Sequence, residues 1–448
     1  MSPAVNRRGA CPALSLPMKT GDGLLARLNP VAEGLTPKQL IGLCNCAERL
    51  GNGVIEVTAR GNLQIRGLTP ETARALAKDV DALGIAARDG TPIDIGPLAG
   101  LDPSATADPR PLAQELRDGV ARAGLSSRLG PKVSVIVDGG GRIDLDPVPA
   151  DIRLKAFARD GETVWRLAMA GTARTAIAIG DYKEPDVAAK ALEILAGVAR
   201  LGLDGRARDL PAAVTARSAT NAPAEALAET SISPRATKAL QIELADSRVA
   251  LALALPFGSA DANRLAALTA HAQGEGVAEL RLAHGRRLLL LCPTLEVAER
   301  LAAAADRFEL IAAQNDARLS TSACPGAPAC ASGRFETRQA ASRIVGASAQ
   351  LFDGDLSLHV SGCAKGCACP GKAALTLVGG ENGVGLVVNG TARDLPLAYA
   401  QPKALAESMT RLSRLIGAAR KKDELVSATM ARLGADRLAE TFRGTTHG

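Results

Sequence analysis

Gly51-Asn-Gly-Val-Ile-Glu-Val-Thr-Ala-Arg60 and the Gly61-Asn-Leu-Gln-Ile-Arg-Gly-Leu68 that follows it alternate apolar and polar residues on either side of a Gly-Asn turn. Alternation with a period of two reads as a pair of strands, so the stretch is a hairpin. A helical run, Pro70-Glu-Thr-Ala-Arg-Ala-Leu-Ala77, comes next. The same order returns as Gly274-Glu-Gly-Val-Ala-Glu-Leu-Arg281, Gly285-Arg-Arg-Leu-Leu-Leu-Leu291 and Leu295-Glu-Val-Ala-Glu-Arg-Leu-Ala302, displaced by about half of the 448-residue chain. A second block is doubled too. Lys132-Val-Ser-Val-Ile-Val-Asp-Gly139 matches Asp355-Leu-Ser-Leu-His-Val-Ser-Gly362, and Gly171-Thr-Ala-Arg174 recurs as Gly390-Thr-Ala-Arg393. A repeat on this scale decides the architecture. The chain reads as a tandem duplication of an A-B unit, α+β in class.

In this reading A1 spans residues 1–90, B1 105–204, A2 240–315 and B2 318–420. A Pro-, Ala- and Ser-rich linker occupies 205–234, and a C-terminal helix and tail occupy 421–448. Residues 86–112, rich in Pro, Gly and Asp, connect A1 to B1. Each A unit combines a hairpin with helices, and each B unit consists of short strands between Gly turns, closed by a helix at Pro185 to Arg200 or Pro402 to Leu415.

Composition narrows the function. Hydrophobic residues at 47% and charged residues at 22% describe a folded globular protein. Aromatics at 2% argue against a binder of single-stranded nucleic acid, which relies on base stacking. The net charge of +6 is dispersed, so an anionic partner is met in a specific pocket. No apolar run reaches the ~18 residues of a membrane span, and no signal peptide is readable, which places the chain in the cytoplasm. Nine cysteines, an odd number, then point away from a disulfide framework and toward thiolate ligation.

Four of those cysteines form two pairs, Cys324-Pro-Gly-Ala-Pro-Ala-Cys330 and Cys363-Ala-Lys-Gly-Cys367. Four thiolates in Gly- and Pro-rich turns suit a [4Fe-4S] cluster, whose irons each take one sulfur. A structural zinc site and four unligated core cysteines are the alternatives; zinc knuckles generally use two to four residues between paired cysteines. Cys44 and Cys46 belong to an apolar helical run and read as core, and Cys11 and Cys292 are isolated. Cys369 follows Cys367 closely enough to compete as a ligand or to support the cluster.

In the first hairpin Ile55, Val57, Leu63 and Ile65 share one face, and Glu56, Thr58, Arg60, Gln64 and Arg66 share the other. A solvated outer face accounts for that pattern in one copy. The second copy also carries Glu279, Arg281, His284, Arg286 and Arg287, and arginines from both halves suit a ligand with many carboxylates. Gly21-Asp-Gly-Leu-Leu-Ala26 lacks the preceding strand of a dinucleotide-binding turn, so reducing equivalents come from a partner.

Together the two cysteine pairs, the duplication and Arg60-Gly-Asn-Leu-Gln-Ile-Arg66 resemble the sulfite/nitrite reductase superfamily. Within it Ala10-Cys-Pro-Ala-Leu14, Met18-Lys-Thr-Gly-Asp-Gly-Leu-Leu-Ala-Arg27 and His359-Val-Ser-Gly-Cys-Ala-Lys-Gly-Cys-Ala368 are most similar to the precorrin-3B synthase branch, over about residues 9–420. The resemblance implies a duplicated sulfite/nitrite reductase-like fold: two ferredoxin-like half-domains and two cluster-type α/β domains about a pseudo-twofold axis. It implies an O2-dependent monooxygenase that hydroxylates precorrin-3A, a polycarboxylate tetrapyrrole, at C20 with γ-lactone closure in aerobic cobalamin biosynthesis. NADH would be the ultimate electron source, through an electron-donor protein. Cys324, Cys330, Cys363 and Cys367 match the cluster ligands, and Arg27, Arg60, Arg66, Lys132 and Lys365 fall in segments that resemble the family's substrate contacts. Lys365 replaces the Asn common in sirohaem enzymes, and Cys369 stands where the synthases commonly have His. A separate non-haem iron is implied as the oxygen-activating centre. Its ligands are not readable among His271, His284, His359 and His447. A sirohaem-dependent sulfite or nitrite reductase is the alternative activity.

Overall fold

The computed structural model describes residues 12–31, 33–211, 239–352 and 355–444. Cys11, His447 and the linker from 212 onward lie outside them.

Among the described residues four sheets carry the fold. In A1, β1 (Met18–Thr20), β2 (Gly23–Leu28), β3 (Val54–Val57) and β4 (Leu63–Leu68) pair antiparallel in the order β1-β2-β4-β3. Helices Pro37–Leu50 and Pro70–Ala82 start where the sequence says they must. Thr36 and Thr69 accept the N3 amide in capping boxes, and each is followed by a proline whose missing N–H costs nothing at that position. B1 contains β5 (Ile93–Ile95), β6 (Val135–Asp138), β7 (Ala150–Arg159), β8 (Glu162–Gly171) and β9 (Ile177–Tyr182), with helices Arg110–Arg122 and Glu184–Arg200. The segment 86–112 is therefore more than a connection, because it supplies β5.

A2 repeats A1: β10 (Leu240–Glu243), β11 (Val249–Ala254), β13 (Leu280–Ala283) and β14 (Arg287–Cys292) pair in the order β10-β11-β14-β13, with β12 (Ser259–Asp261) inserted between β11 and β13. B2 repeats B1 through β15 (Thr321–Ala323), β16 (Leu358–Ser361), β17 (Ala373–Gly380), β18 (Gly383–Gly390) and β19 (Ala398–Ala400). Both B sheets run in sequential order, the first two pairings parallel and the last two antiparallel. The C-terminal helices Val426–Leu433 and Ala435–Arg443 add Val426, Met430, Leu438 and Phe442 to the B2 core, so this segment completes B2.

A1 and A2 share one core, in which Ile55, Val57, Leu63 and Ile65 meet Leu251, Leu253, Leu288 and Leu290. They also exchange backbone. β12 extends A1's sheet by pairing with β3, and Leu35 extends A2's by a reciprocal bridge to Leu280 (2.7 and 2.8 Å). Each exchanged segment immediately precedes the first helix of its own unit. The two hairpin tips touch at the pseudo-twofold axis, where Gly285 N–H donates to Ala59 O at 2.9 Å. Gly61 has φ +80°, and a Cβ there would stand 2.9 Å from the Ala283 carbonyl carbon, so a side chain would force the tips apart.

Candidate functional site

Cys324 follows β15 directly and Cys363 follows β16 by two residues, so both cysteine loops leave the carboxyl ends of adjacent parallel strands. The loops meet glycine to glycine: a Cβ on Gly362 would lie 3.1 Å from Gly333 Cα and 3.3 Å from Gly326 Cα. Gly326 adopts φ +66° and has no room for a side chain, with Thr337 Oγ1 2.5 Å from a would-be Cβ. Gly362 N–H donates to Cys324 Sγ at 3.2 Å, and Lys365 Nζ crosses to Ser332 Oγ at 2.8 Å.

Burial pushes the Cys367 thiol up, and the charges of Cys363, Cys324 and Cys330 push it further. Three neighbouring sulfurs therefore make a fourth thiolate costly until a cation offsets them. Among the described residues no three His, Cys, Asp or Glu side chains close on a single-ion point. Zinc would draw its thiolates to roughly 3.8 Å from one another, given Zn–S of ~2.3 Å. Four thiols on two loops also match the number a cluster needs, one sulfur per iron. The described residues likewise gather no ligand set for a separate oxygen-activating iron.

The polar face of the A1 hairpin is not solvated. Glu56, Gln64 and Arg66 are only 5%, 7% and 4% exposed, because B2 covers them. Arg338, on the helix Thr337–Ala347, donates to Glu56 at 2.5 Å. Arg66 donates to both oxygens of Asp22 (3.1 and 3.0 Å) and to Ala329 O, inside the first cysteine loop, at 2.6 Å. With the Gln64 amide turned to satisfy its neighbours, its nitrogen donates to Glu56 (3.0 Å) and its oxygen accepts from Arg27 (2.9 and 2.8 Å). A chain of alternating charge thus runs along one sheet face to the cysteines.

The other expected substrate residues are scattered. Arg60 donates to Ser134 Oγ (3.3 Å), to Asp94 (3.4 Å) and to Pro149 O, and it lines a cavity of about 90 Å3 with Asn62, Arg88 and His284. Lys132 is exposed two residues before Ser134. Lys365 lines a separate open cavity of about 820 Å3 with Ser332, Arg334, Cys363 and Arg393, a size that takes cofactor-sized ligands. Arg334 and Arg393 escaped the sequence reading, although Arg393 lies in the recurring Gly-Thr-Ala-Arg. Arg286, on the A2 tip, donates to Ala368 O at 3.1 Å. Burial, and then Arg286, push His359 down to about 4, and both its ring nitrogens are buried without a partner.

Known proteins resemble this chain at several levels. The family described as nitrite/sulfite reductase ferredoxin-like half domain matches residues 16–83. A precorrin-3B synthase from Sinorhizobium sp is 40% identical over 440 residues, which cover 97% of this chain and 95% of the relative. A ferredoxin–nitrite reductase from Synechococcus elongatus is 29% identical over 168 residues, covering 35% of this chain and 33% of that protein. The solved structure of the NirA protein of Mycobacterium tuberculosis superposes with a TM-score of 0.71 at 18% identity, covering 93% of this chain and 84% of NirA. The last of these establishes the duplicated sulfite/nitrite reductase fold.

Proposed function

The chain belongs to the precorrin-3B synthase family, and from that premise we propose that it converts precorrin-3A to precorrin-3B in aerobic cobalamin biosynthesis. The reaction is O2-dependent hydroxylation at C20 with γ-lactone closure, and NADH supplies electrons through a donor protein. The observation that carries this reading is the meeting of two cysteine loops, Cys324/Cys330 and Cys363/Cys367, beside a sheet face and a cavity rich in arginine and lysine.

Cys324, Cys330, Cys363 and Cys367 would hold a [4Fe-4S] cluster, which would supply single-electron transfer there. The protein's own part is binding and orientation. Lys365, with Arg334 and Arg393 in the same cavity, offers cations to acetate and propionate arms. Arg27, held by Gln64, adds a cation on the A1 face that B2 covers, and Arg60 and Lys132 near Ser134 add cationic contacts toward B1. The oxygen-activating iron implied by the family has no ligand set among the described residues, and no step is assigned to it.

The test is an absorption spectrum of protein purified without air, with iron and acid-labile sulfide counts, repeated after adding precorrin-3A. A broad cluster band that precorrin-3A perturbs, followed by O2-dependent turnover, supports the synthase. Sharp sirohaem bands at one per chain would replace it with a sulfite or nitrite reductase.

A further inference from the structure

The turn between β1 and β2 has no part in the reaction above, yet it presses on the first cysteine loop. Gly21 N–H donates to Ala329 O at 3.1 Å. A Cβ built on Gly21 would stand 2.5 Å from Pro328 O, 2.6 Å from Ala331 N and 2.8 Å from the Cys330 carbonyl carbon. All three are backbone atoms of the loop and cannot swing aside as a side chain can. From the other flank Arg66 donates to the same Ala329 O at 2.6 Å while holding Asp22. Asp22 is in turn fixed by Thr20 Oγ1 (2.7 Å) and Asn52 Nδ2 (3.0 Å). One carbonyl, on the residue beside Cys330, thus receives a neutral and a charged donor from A1, and charged donors make the stronger bonds.

We propose that Gly21, Asp22 and Arg66 form a latch that fixes the Cys330 end of the loop, so that Arg66 is a positioning residue for the cluster and not a substrate contact. The proposal rests on the reading of the four cysteines as cluster ligands. A guanidinium spent on Asp22 and Ala329 has no fork left for a carboxylate unless Asp22 is displaced. The latch also sets the charge beside the loop. Removing Arg66 leaves Asp22 negative and disfavours the reduced cluster, whereas neutralising Asp22 leaves Arg66 positive and favours it.

Full-length wild type and the variants Gly21→Ala, Asp22→Asn, Arg66→Gln and Arg66→Lys, prepared without air, decide the matter. Iron and sulfide are counted, iron transfer to bathophenanthroline is timed, and the reduction potential is followed by EPR. Arg66→Gln is expected to release iron about tenfold faster than wild type, the cost of one charge-assisted contact, and Gly21→Ala, whose Cβ meets the loop backbone, is expected to release it faster than wild type too. Arg66→Lys falls between, because one ammonium does not serve Ala329 O and Asp22 in a fork. The potential drops in Arg66→Gln and rises in Asp22→Asn, an opposite pair that general loosening does not produce. Wild-type release and potential in Arg66→Gln, with weakened binding of uroporphyrin as a polycarboxylate probe, would make Arg66 a carboxylate contact and overturn the latch. Should Arg66→Gln not fold, wild-type release in Gly21→Ala with an unshifted potential in Asp22→Asn overturns it equally. A wild type without iron and sulfide refutes the cluster reading instead.

Discussion

The outer faces of the A1 and A2 sheets occupy equivalent places and have opposite chemistry. In A1 the ladder aligns Arg27 with Gln64 and Gln64 with Glu56, with Arg66 two residues along. In A2 the same register aligns Ala252 with Leu289 and Leu289 with Arg281, with Leu291 two residues along. Arg27, Gln64 and Arg66 therefore correspond to Ala252, Leu289 and Leu291. The A1 face is an ionic network sealed by B2, and the A2 face is largely apolar: Ala252, Leu289 and Leu291 pack with Leu98 and Ile143, beside a buried Arg281 that is paired with Glu33 and Glu279. The loops they face differ in the same sense. Where B2 has thiols, B1 ties its two loops with carboxylates: Asp102 accepts from Arg142 N–H at 2.5 Å, and Asp138 accepts from Gly140 and Leu145 N–H at 2.9 and 3.0 Å. Duplication thus left one half to hold the molecule together by burial. The other half carries buried charge, which stabilises less than apolar packing of equal volume and is retained for what it does.

The comparison breaks most completely at the thiols. Cys363→Ser is expected to abolish bound iron and labile sulfide, because three thiolates leave one corner of a cluster open, while Asp102→Asn leaves both unchanged; equal iron in the two variants would refute the division of labour. Next in size is Leu289→Ala, which opens a cavity in a fully buried layer and should cost about 2–5 kcal/mol in urea unfolding with the cluster content unaltered. Gln64→Leu, which copies the A2 residue into A1, is expected to cost less, about 1–3 kcal/mol, since it removes the amide that Glu56 and Arg27 share. A Gln64→Leu protein as stable as wild type would mean that the A1 network contributes nothing to holding B2.

Much of this was legible in the sequence, and what was not has a physical reason. Thr36-Pro37 and Thr69-Pro70 announce helix starts through local hydrogen bonds, and the Gly-rich spacing of the cysteine pairs announces two tight loops, which the fold brings together at Gly326, Gly333 and Gly362. Period-two alternation correctly separated Ile55 and Val57 from Glu56, but it reports only which face a unit's own helices cover. That B2 buries the other face depends on partners such as Arg338 for Glu56 and Ala329 for Arg66, separated by 282 and 263 residues and carrying no local signal. The reciprocal exchange at β12 and Leu35 escaped for a similar reason: three residues and one bridge are too short for periodicity, yet they weld two half-domains into one core.

The smallest effect lies where the two hairpin tips face B1. Burial, and then Arg287, push His284 down to about 4 from its ordinary 6.5, against a weaker upward pull from Asp144, and its Nδ1 has no partner. A histidine held neutral in the fold takes up its proton in the unfolded chain first. Stability is therefore whole at neutral pH and falls as the pH drops from about 6.5 toward about 4. At pH 5.5 the loss from this residue is about 1 kcal/mol, one unit below the unfolded value. His284→Gln removes the titration, so the drop in urea-unfolding free energy between pH 7 and 5.5 should shrink by about that amount. His359 is depressed in the same direction and adds to the slope. An unchanged slope in His284→Gln would show that the A2 tip does not shield its imidazole, and that the contact between the tips is open to water.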